Sequence, residues 1–342
     1  SREAERLTTG QYWDANPVWF PSGDRILFRS TRFDPEGNFQ YLSTLDLDPA
    51  TGRPTSVPRQ VSLEPSSFSQ GYQISPDGQQ IVYRPHSTDD GGFEEELKVI
   101  PWNGGNARTV WRQKEGIGAL AWPDDGYIYF SSELAPPDDV AIRTDGEIRR
   151  VPAEGGTAEV VSSWPERGLL SPDAKHFVYR VSPRGSDEAI YELASTDGRR
   201  LASFVLPENM TLATCFTTGG VGCLATTEDL AAPLTVIPVQ GGPARQLSET
   251  RGYDWPAGWS DDGQEIFFRS ELDGTSALWA APLSGGPTRE IYRMPPEDWV
   301  YGPSLLGERY LFYGVETESN QGVSLRLLDI QTGSEREITR NP

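Results

Sequence analysis

The stretch Ile74-Ser75-Pro76-Asp77-Gly78-Gln79-Gln80-Ile81-Val82-Tyr83-Arg84 reads as the end of one strand, a tight turn and a second strand. Ser and Asp side chains bond back to nearby backbone, Pro fixes φ, and Gly accepts φ > 0. The motif returns along the chain. It is Trp19-Phe20-Pro21-Ser22-Gly23 before Ile26-Leu27-Phe28-Arg29, and Trp122-Pro123-Asp124-Asp125-Gly126 before Tyr127-Ile128-Tyr129-Phe130. Further copies are Leu170-Ser171-Pro172-Asp173-Ala174 before Phe177-Val178-Tyr179-Arg180, and Trp259-Ser260-Asp261-Asp262-Gly263 before Ile266-Phe267-Phe268-Arg269. Phe216-Thr217-Thr218-Gly219-Gly220 and Leu305-Leu306-Gly307-Glu308 are degenerate copies.

The turn glycine, or its equivalent, falls at positions 23, 78, 126, 174, 220, 263 and 307. A period in the forties with short strands marks repeated four-stranded units. A second hairpin repeats in step with the first. Trp279-Ala280-Ala281-Pro282-Leu283-Ser284-Gly285-Gly286 matches Val99-Ile100-Pro101-Trp102-Asn103-Gly104-Gly105 and Arg150-Val151-Pro152-Ala153-Glu154-Gly155-Gly156. Each unit therefore reads as strands A to D, with a Ser-Pro-Asp-Gly turn between A and B and a Gly-Gly turn between C and D. The expected fold is all-β: a seven-bladed β-propeller with four antiparallel strands per blade. The blades fall near 15–62, 70–111, 116–162, 166–206, 208–249, 253–292 and 298–340, in a single domain. Arg6-Leu7-Thr8-Thr9 resembles an outer-strand tail, as does Arg336-Glu337-Ile338-Thr339, so residues 1–10 read as an extra outer strand near ring closure. Either the N-terminal strand completes the last blade and displaces the C-terminal one, or it lies beside it, or a domain upstream was removed.

The coupling of a Ser-Pro-Asp-Gly turn to a Pro-x-x-Gly-Gly hairpin resembles the TolB-like, WD-repeat-like propeller family. The resemblance covers nearly the whole chain. It implies the fold. It leaves function open, because such propellers serve as binding platforms, as accessory domains of peptidases, and sometimes as lyases.

Charge bounds the partners. The 342 residues carry 50 acidic and 30 basic side chains, a formal net charge of −20. That argues against nucleic acid, whose phosphates require a positive footprint, and against anionic membrane surfaces. No stretch approaches the roughly 20 apolar residues of a spanning helix. An exported, periplasmic or extracellular monomer is expected.

Catalytic machinery is sparse. There is no Gly-x-Ser-x-Gly, and only His86 and His176 are present. Both read as loop or rim histidines, and the sequence assigns no catalytic residue, metal or cofactor. The acidic pairs Asp89-Asp90 and Asp138-Asp139, and Glu94-Glu95-Glu96, lack calcium-loop spacing. Cys215 and Cys223 flank one A–B turn and are either bridged or free.

The candidate site comes from what differs between repeats. With the repeats aligned on their A–B turns, Asp14, Asp254 and Asp298 share one position in the D–A connection. Ser69, Ile117, Pro165 and Thr211 occupy it in the other units. Aromatic residues gather there: Trp13, Tyr253, Trp255 and Trp299. An Arg ends strand B in four units, Arg29, Arg84, Arg180 and Arg269, either to read an anion or to pair with an Asp of its own unit. Asp14, Asp254 and Asp298, with Trp13, Tyr253, Trp255, Trp299, Arg29 and Arg269, are thus expected to bind a protein, peptide or carbohydrate ligand, cationic in character. A packing role for the same residues at ring closure would instead bury them. The leading functional expectation is a non-catalytic binding propeller. The alternative is the propeller of an enzyme, either the gating domain of a peptidase or hydrolase, or a lyase with its site at the central opening.

Overall fold

A computed structural model describes residues 12–66, 71–86, 94–114, 116–133, 146–164, 168–171, 173–181, 189–206, 210–217, 220–227, 234–238, 245–248, 253–260, 264–272, 275–293, 298–306, 309–317, 323–330, 332 and 334–337. The regular structure among these residues is strand apart from one short 3-10 turn. The first sheet is β1 (Asp14–Trp19), β2 (Arg25–Ser30), β3 (Tyr41–Asp46) and β4 (Arg59–Gln60). The second is β5 (Tyr72–Ile74), β6 (Gln80–Tyr83), β7 (Glu95–Pro101) and β8 (Arg108–Gln113). The third is β9 (Gly116–Ala121), β10 (Tyr127–Glu133), β11 (Gly146–Pro152) and β12 (Glu159–Trp164). The fourth is β13 (Gly168–Leu170), β14 (His176–Arg180), β15 (Ala189–Ser195) and β16 (Arg200–Leu206).

The fifth sheet is β17 (Met210–Thr217), β18 (Gly220–Thr227), β19 (Thr235–Pro238) and β20 (Arg245–Gln246). The sixth is β21 (Tyr253–Trp259), β22 (Glu265–Leu272), β23 (Thr275–Pro282) and β24 (Arg289–Arg293). The seventh is β25 (Asp298–Leu306), β26 (Tyr310–Thr317), β27 (Val323–Asp329) and β28 (Ser334–Glu337). Among the described residues these make seven four-stranded meanders, each in sequence order. The seventh sheet takes its outer strand from the C-terminal stretch. Residues 1–10, read above as an extra outer strand, lie outside the described residues.

The turn motif does what its chemistry predicts. In the second sheet Gly78 N–H donates to Ser75 O (2.8 Å), and Gly78 sits at φ 70°. Ser75 Oγ accepts from Gln80 N (2.8 Å) and donates to Asp77 Oδ1 (2.6 Å). The fourth sheet repeats this with Ser171, Asp173 and His176 N (2.6 and 2.9 Å), its Ala174 held at φ 53°. Asp77 is held below the usual carboxylate range, first by the Ser75 hydroxyl and then by Gln79 N–H. In the C–D hairpins, Gly104, Gly155 and Gly285 N–H donate to the carbonyls of Pro101, Pro152 and Pro282 (2.9, 2.7 and 3.0 Å).

The continuous apolar runs fit sheets buried on both faces, as the third, sixth and seventh are. Phe267 packs toward Leu311, Tyr313 and Leu328 of the seventh sheet, whereas Phe268 packs toward Leu234, Val236 and Leu247 beside the fifth. Ile128 and Phe130 meet Val82, Leu97 and Val99 of the second sheet, while Tyr129 meets Phe177 and Ala194 of the fourth. Side chains alternate across a strand, so consecutive residues feed opposite interfaces. Each fully buried aromatic or aliphatic chain contributes roughly 1.5–3 kcal/mol.

Contacts divide the chain into two compact units. One holds the first, fifth, sixth and seventh sheets, and the other holds the second, third and fourth. In the first unit β1 packs on β25, β26 and β27, and β25 packs on β21, so the leading strands of the sixth, seventh and first sheets lie side by side. Leu327 of β27 enters a cluster with Ile26, Phe28, Leu45 and Leu47. In the second unit β9 packs on both β5 and β13.

Candidate functional site

The candidate residues lie where the D–A and B–C connections meet. In an antiparallel meander these two connections share one end of the sheet. At that end of the first sheet, Thr31 clamps the chain entering β1: Trp13 N–H donates to Thr31 Oγ1 (2.9 Å), and Thr31 N–H donates to Trp13 O (3.1 Å). A 3-10 turn, Thr31–Phe33, begins the B–C connection, and Ser30 Oγ caps it by accepting from Arg32 N–H (3.1 Å). Arg32 stacks its guanidinium on Tyr12, 4.3 Å from the ring centroid, and reaches Asp14 Oδ2 at 3.6 Å.

Asp14 is 1% exposed and Arg29 6%, whereas Trp13 is 38% exposed. Arg29 Nη2 donates to Asn16 Oδ1 (2.6 Å). Asn16 sits at φ 53°, within a register shift of β1 against β2 between Ala15 and Val18.

At the sixth sheet Asp254 is likewise buried, at 4%. It accepts a short hydrogen bond from Ser248 Oγ and a longer one from Leu234 N–H (3.4 Å). Ser248 Oγ itself accepts from Leu234 N–H (2.8 Å). Leu234 precedes β19 and Ser248 follows β20, so Asp254 joins the leading strand of the sixth sheet to the fifth. Arg269 is 9% exposed and pairs with Glu271 (2.7 Å) and Ser276 Oγ (3.0 Å).

The register puts Asp14 opposite Ser30 and Asp254 opposite Ser270, the same step from their A–B turns, whereas Asp298 lies opposite Thr317, three residues farther along strand B, and Tyr301 opposite Gly314 takes the equivalent step. The structure differs from the sequence expectation on exposure. Asp14 and Asp254 are buried with partners inside the protein and do not present open carboxylates. Buried charges need such partners, because desolvation would otherwise penalise them. The side chains of Tyr253, Trp255, Asp298 and Trp299 lie outside the described residues. So do Asp89, Asp90, Asp138 and Asp139, and the side chains of Cys215 and Cys223.

Three of the four strand-B arginines have partners within their own units. Arg29 takes Asn16, Arg84 takes Glu95 (2.9 Å) and Arg269 takes Glu271. Sequence reading missed Asn16 and Arg32. Asn was the available signal, since it tolerates φ > 0 better than most residues. A second network joins Glu64, Tyr83 and Lys98. Lys98 Nζ contacts both Glu64 oxygens (2.7 Å each), and Tyr83 Oη donates to Glu64 Oε2 (3.4 Å). Burial, reinforced by Glu64, pushes the Tyr83 phenol well above its usual range. Burial works against the Lys98 ammonium, yet its bonds to Glu64 and Glu96 outweigh this and raise its pKa.

His176 opens β14 beside the A–B turn, while His86 follows the far end of β6. In the aligned repeats the two positions are six residues apart, about 20 Å of extended chain. Among the described residues no group of three or more His, Cys, Asp or Glu is placed to hold a metal ion.

Solved structures identify the architecture. The Pyrococcus horikoshii acylaminoacyl peptidase aligns over 96% of this chain and 52% of its own, with TM-score 0.63 and 17% identity. The propeller domain of the Pyrococcus furiosus Trilobed protease, described as having an open velcro topology, aligns over 97% of this chain and all of its own, with TM-score 0.64 and 14% identity. The fold is a β-propeller. An oligogalacturonate lyase in complex with manganese aligns over 94% of this chain and 91% of its own, with TM-score 0.67 and 14% identity. The propeller spans about half the length of the peptidases it matches. No family model matches the sequence. No curated protein matches it either.

Proposed function

We propose that the chain is the propeller domain of a peptidase-type hydrolase, a part that admits and contacts substrate while the chemistry is done elsewhere in the enzyme. The observation carrying this reading is full-length similarity to peptidase propellers, including one that is itself an isolated protease domain. In this reading all seven sheets are blades of one ring, of TolB-like kind, and the partners are peptides. The same similarity favours an enzyme-associated domain over a free-standing scaffold.

The lyase alignment favours a second reading, because it covers nearly all of both chains. Its weakness here is imidazole supply. Imidazole and carboxylate are the usual protein ligands for such an ion, and the two histidines of this propeller lie at opposite ends of their strands. A turnover assay separates the readings. The isolated chain, supplied with manganese, is incubated with oligogalacturonate and the unsaturated product is followed by ultraviolet absorbance. No product is expected. Product formation that a chelator abolishes would overturn the peptidase-type reading.

A further inference from the structure

We propose that the outer edge of β16 is a self-association surface, on which a second copy of this chain pairs its own β16 antiparallel about a two-fold axis at Ser203. The pairing takes the place of the monomer expected from the sequence, and it does not depend on the peptidase-type reading.

The edge itself is the first observation. In the fourth sheet β16 pairs with β15 from Arg200 to Leu206. It stands last in the sheet order, so among the described residues its other edge has no strand beside it. Such an edge presents a row of main-chain donors and acceptors that a further strand can take up. At seven residues β16 is the longest outer strand described. Six of those residues, Leu201-Ala202-Ser203-Phe204-Val205-Leu206, carry no charge. Leu201 is 40% exposed and Val205 48%, and Ser203 is exposed between them. Phe204 points to the opposite face from Ser203 and Val205. It stacks there on Tyr191 of β15, ring centroids 5.8 Å apart, which holds the strand in place.

Charge identifies the occupant. Outer strands are ordinarily guarded by charged side chains. Paired with its own copy about Val110, β8 would set Arg108 opposite Arg112 of the second copy. About Ile291, β24 would set Arg289 opposite Arg293 of the second copy. Like charges directly opposite repel. At β12 the neighbouring turn lies alongside, since a Cβ on Gly198 would fall 3.6 Å from Ser162 Oγ.

β16 meets itself without any such clash. A two-fold axis at Ser203 sets that serine opposite itself, Ala202 opposite Phe204 of the second copy and Leu201 opposite its Val205. Small side chains thus face large ones, and apolar ones face apolar. The one charge on the strand, Arg200, is paired with Glu192 of its own sheet (3.1 Å). The chain carries −20 overall, so two copies approach with least repulsion along an uncharged strand of this kind. A basic partner would be drawn to the acidic surface instead. One strand pair is small against the roughly 1,200–2,000 Å² of a stable interface, so the dimer is weak and depends on concentration.

The test is sedimentation velocity of the whole chain over a concentration series, at low and at moderate salt. A concentration-dependent dimer is expected, tighter at moderate salt, where the net charge is screened. Amide exchange at residues 201–206 should slow as concentration rises, while that of β24 stays constant. Ser203→Lys and Ser203→Glu each set like charges opposite one another and should weaken the dimer at least about tenfold. An equimolar mixture of the two pairs Lys with Glu and should recover it. Ser203→Thr, which is uncharged, should associate as the parent does. Each variant should melt at the parent's temperature when dilute, because Ser203 is exposed. A parent that is monomeric at every concentration, exchange that ignores concentration, or charged variants that associate as the parent does would overturn the proposal. So would two charged variants that are monomeric apart and remain monomeric when mixed.

Discussion

Asp254 illustrates how a residue that looks like a ligand contact in one dimension becomes architecture in three. Its carboxylate ties Ser248 and Leu234 N–H together beneath the leading strand of the sixth sheet. Replacing Asp254 with Ala leaves a buried hydroxyl and amide without that acceptor, so a loss of about 1–3 kcal/mol is expected in urea unfolding. An unchanged midpoint would show that the carboxylate carries no structural weight.

Ser75 tests the turn at the same scale. Its hydroxyl lowers the Asp77 pKa. A depressed folded pKa contributes stability above the unfolded value, near 3.9, that is lost as pH falls through the folded value. Ser75→Ala should therefore be destabilised at neutral pH, and its gap from the parent should narrow below about pH 4. A gap that is constant across that window would contradict the assignment. The sequence alignment placed Asp14, Asp254 and Asp298 at one position; the register keeps Asp14 and Asp254 in step and sets Asp298 three residues farther along strand B. Burial was not legible, because an Asp that departs from a repeat consensus looks the same whether it faces solvent or a neighbouring sheet.

Elements were the most legible level. Each Ser-Pro-Asp-Gly and Pro-x-x-Gly-Gly motif carries its own hydrogen-bond closure, so local chemistry suffices to locate the hairpin. Gly285 sits at φ 88° and Gly286 at 132°. Gly285→Ala should cost about 1–2 kcal/mol, the penalty for a side chain in the left-handed region. Thermal unfolding of this variant at the parent's midpoint would refute the turn geometry. The B–C connections were less legible. The 3-10 turn Thr31–Phe33 and its Arg32 depend on Tyr12 and Asp14 from a different connection. Nothing within residues 31–40 alone announces that meeting.

At the scale of the molecule, apolar packing joins the last sheet to the first. Leu327 enters the cluster of Ile26, Phe28, Leu45 and Leu47, while Leu328 turns to the sixth sheet. Gly52 makes room for it, since a Cβ there would fall 2.5 Å from Leu327 Cδ2. Leu327→Ala should cost about 2–5 kcal/mol, the usual range for truncating a buried Leu. Gly52→Ala should destabilise the same junction. Hydrogen exchange should locate both losses in β1, β2 and β27, and a loss confined to other strands would contradict the packing. The sequence left the source of the last outer strand open between two termini with similar residues. Pairing of β28 with β27 resolves it in favour of the C-terminal stretch.

The most direct measurement of the central claim, that this propeller serves a peptidase-type enzyme, is the full reading frame of its gene read with the protein it yields in cells. The account expects one polypeptide in which this propeller is joined to a domain carrying a nucleophilic Ser, a His and an Asp or Glu, which together hydrolyse peptides. A frame that encodes the propeller alone, from a protein that hydrolyses no peptide, would contradict it.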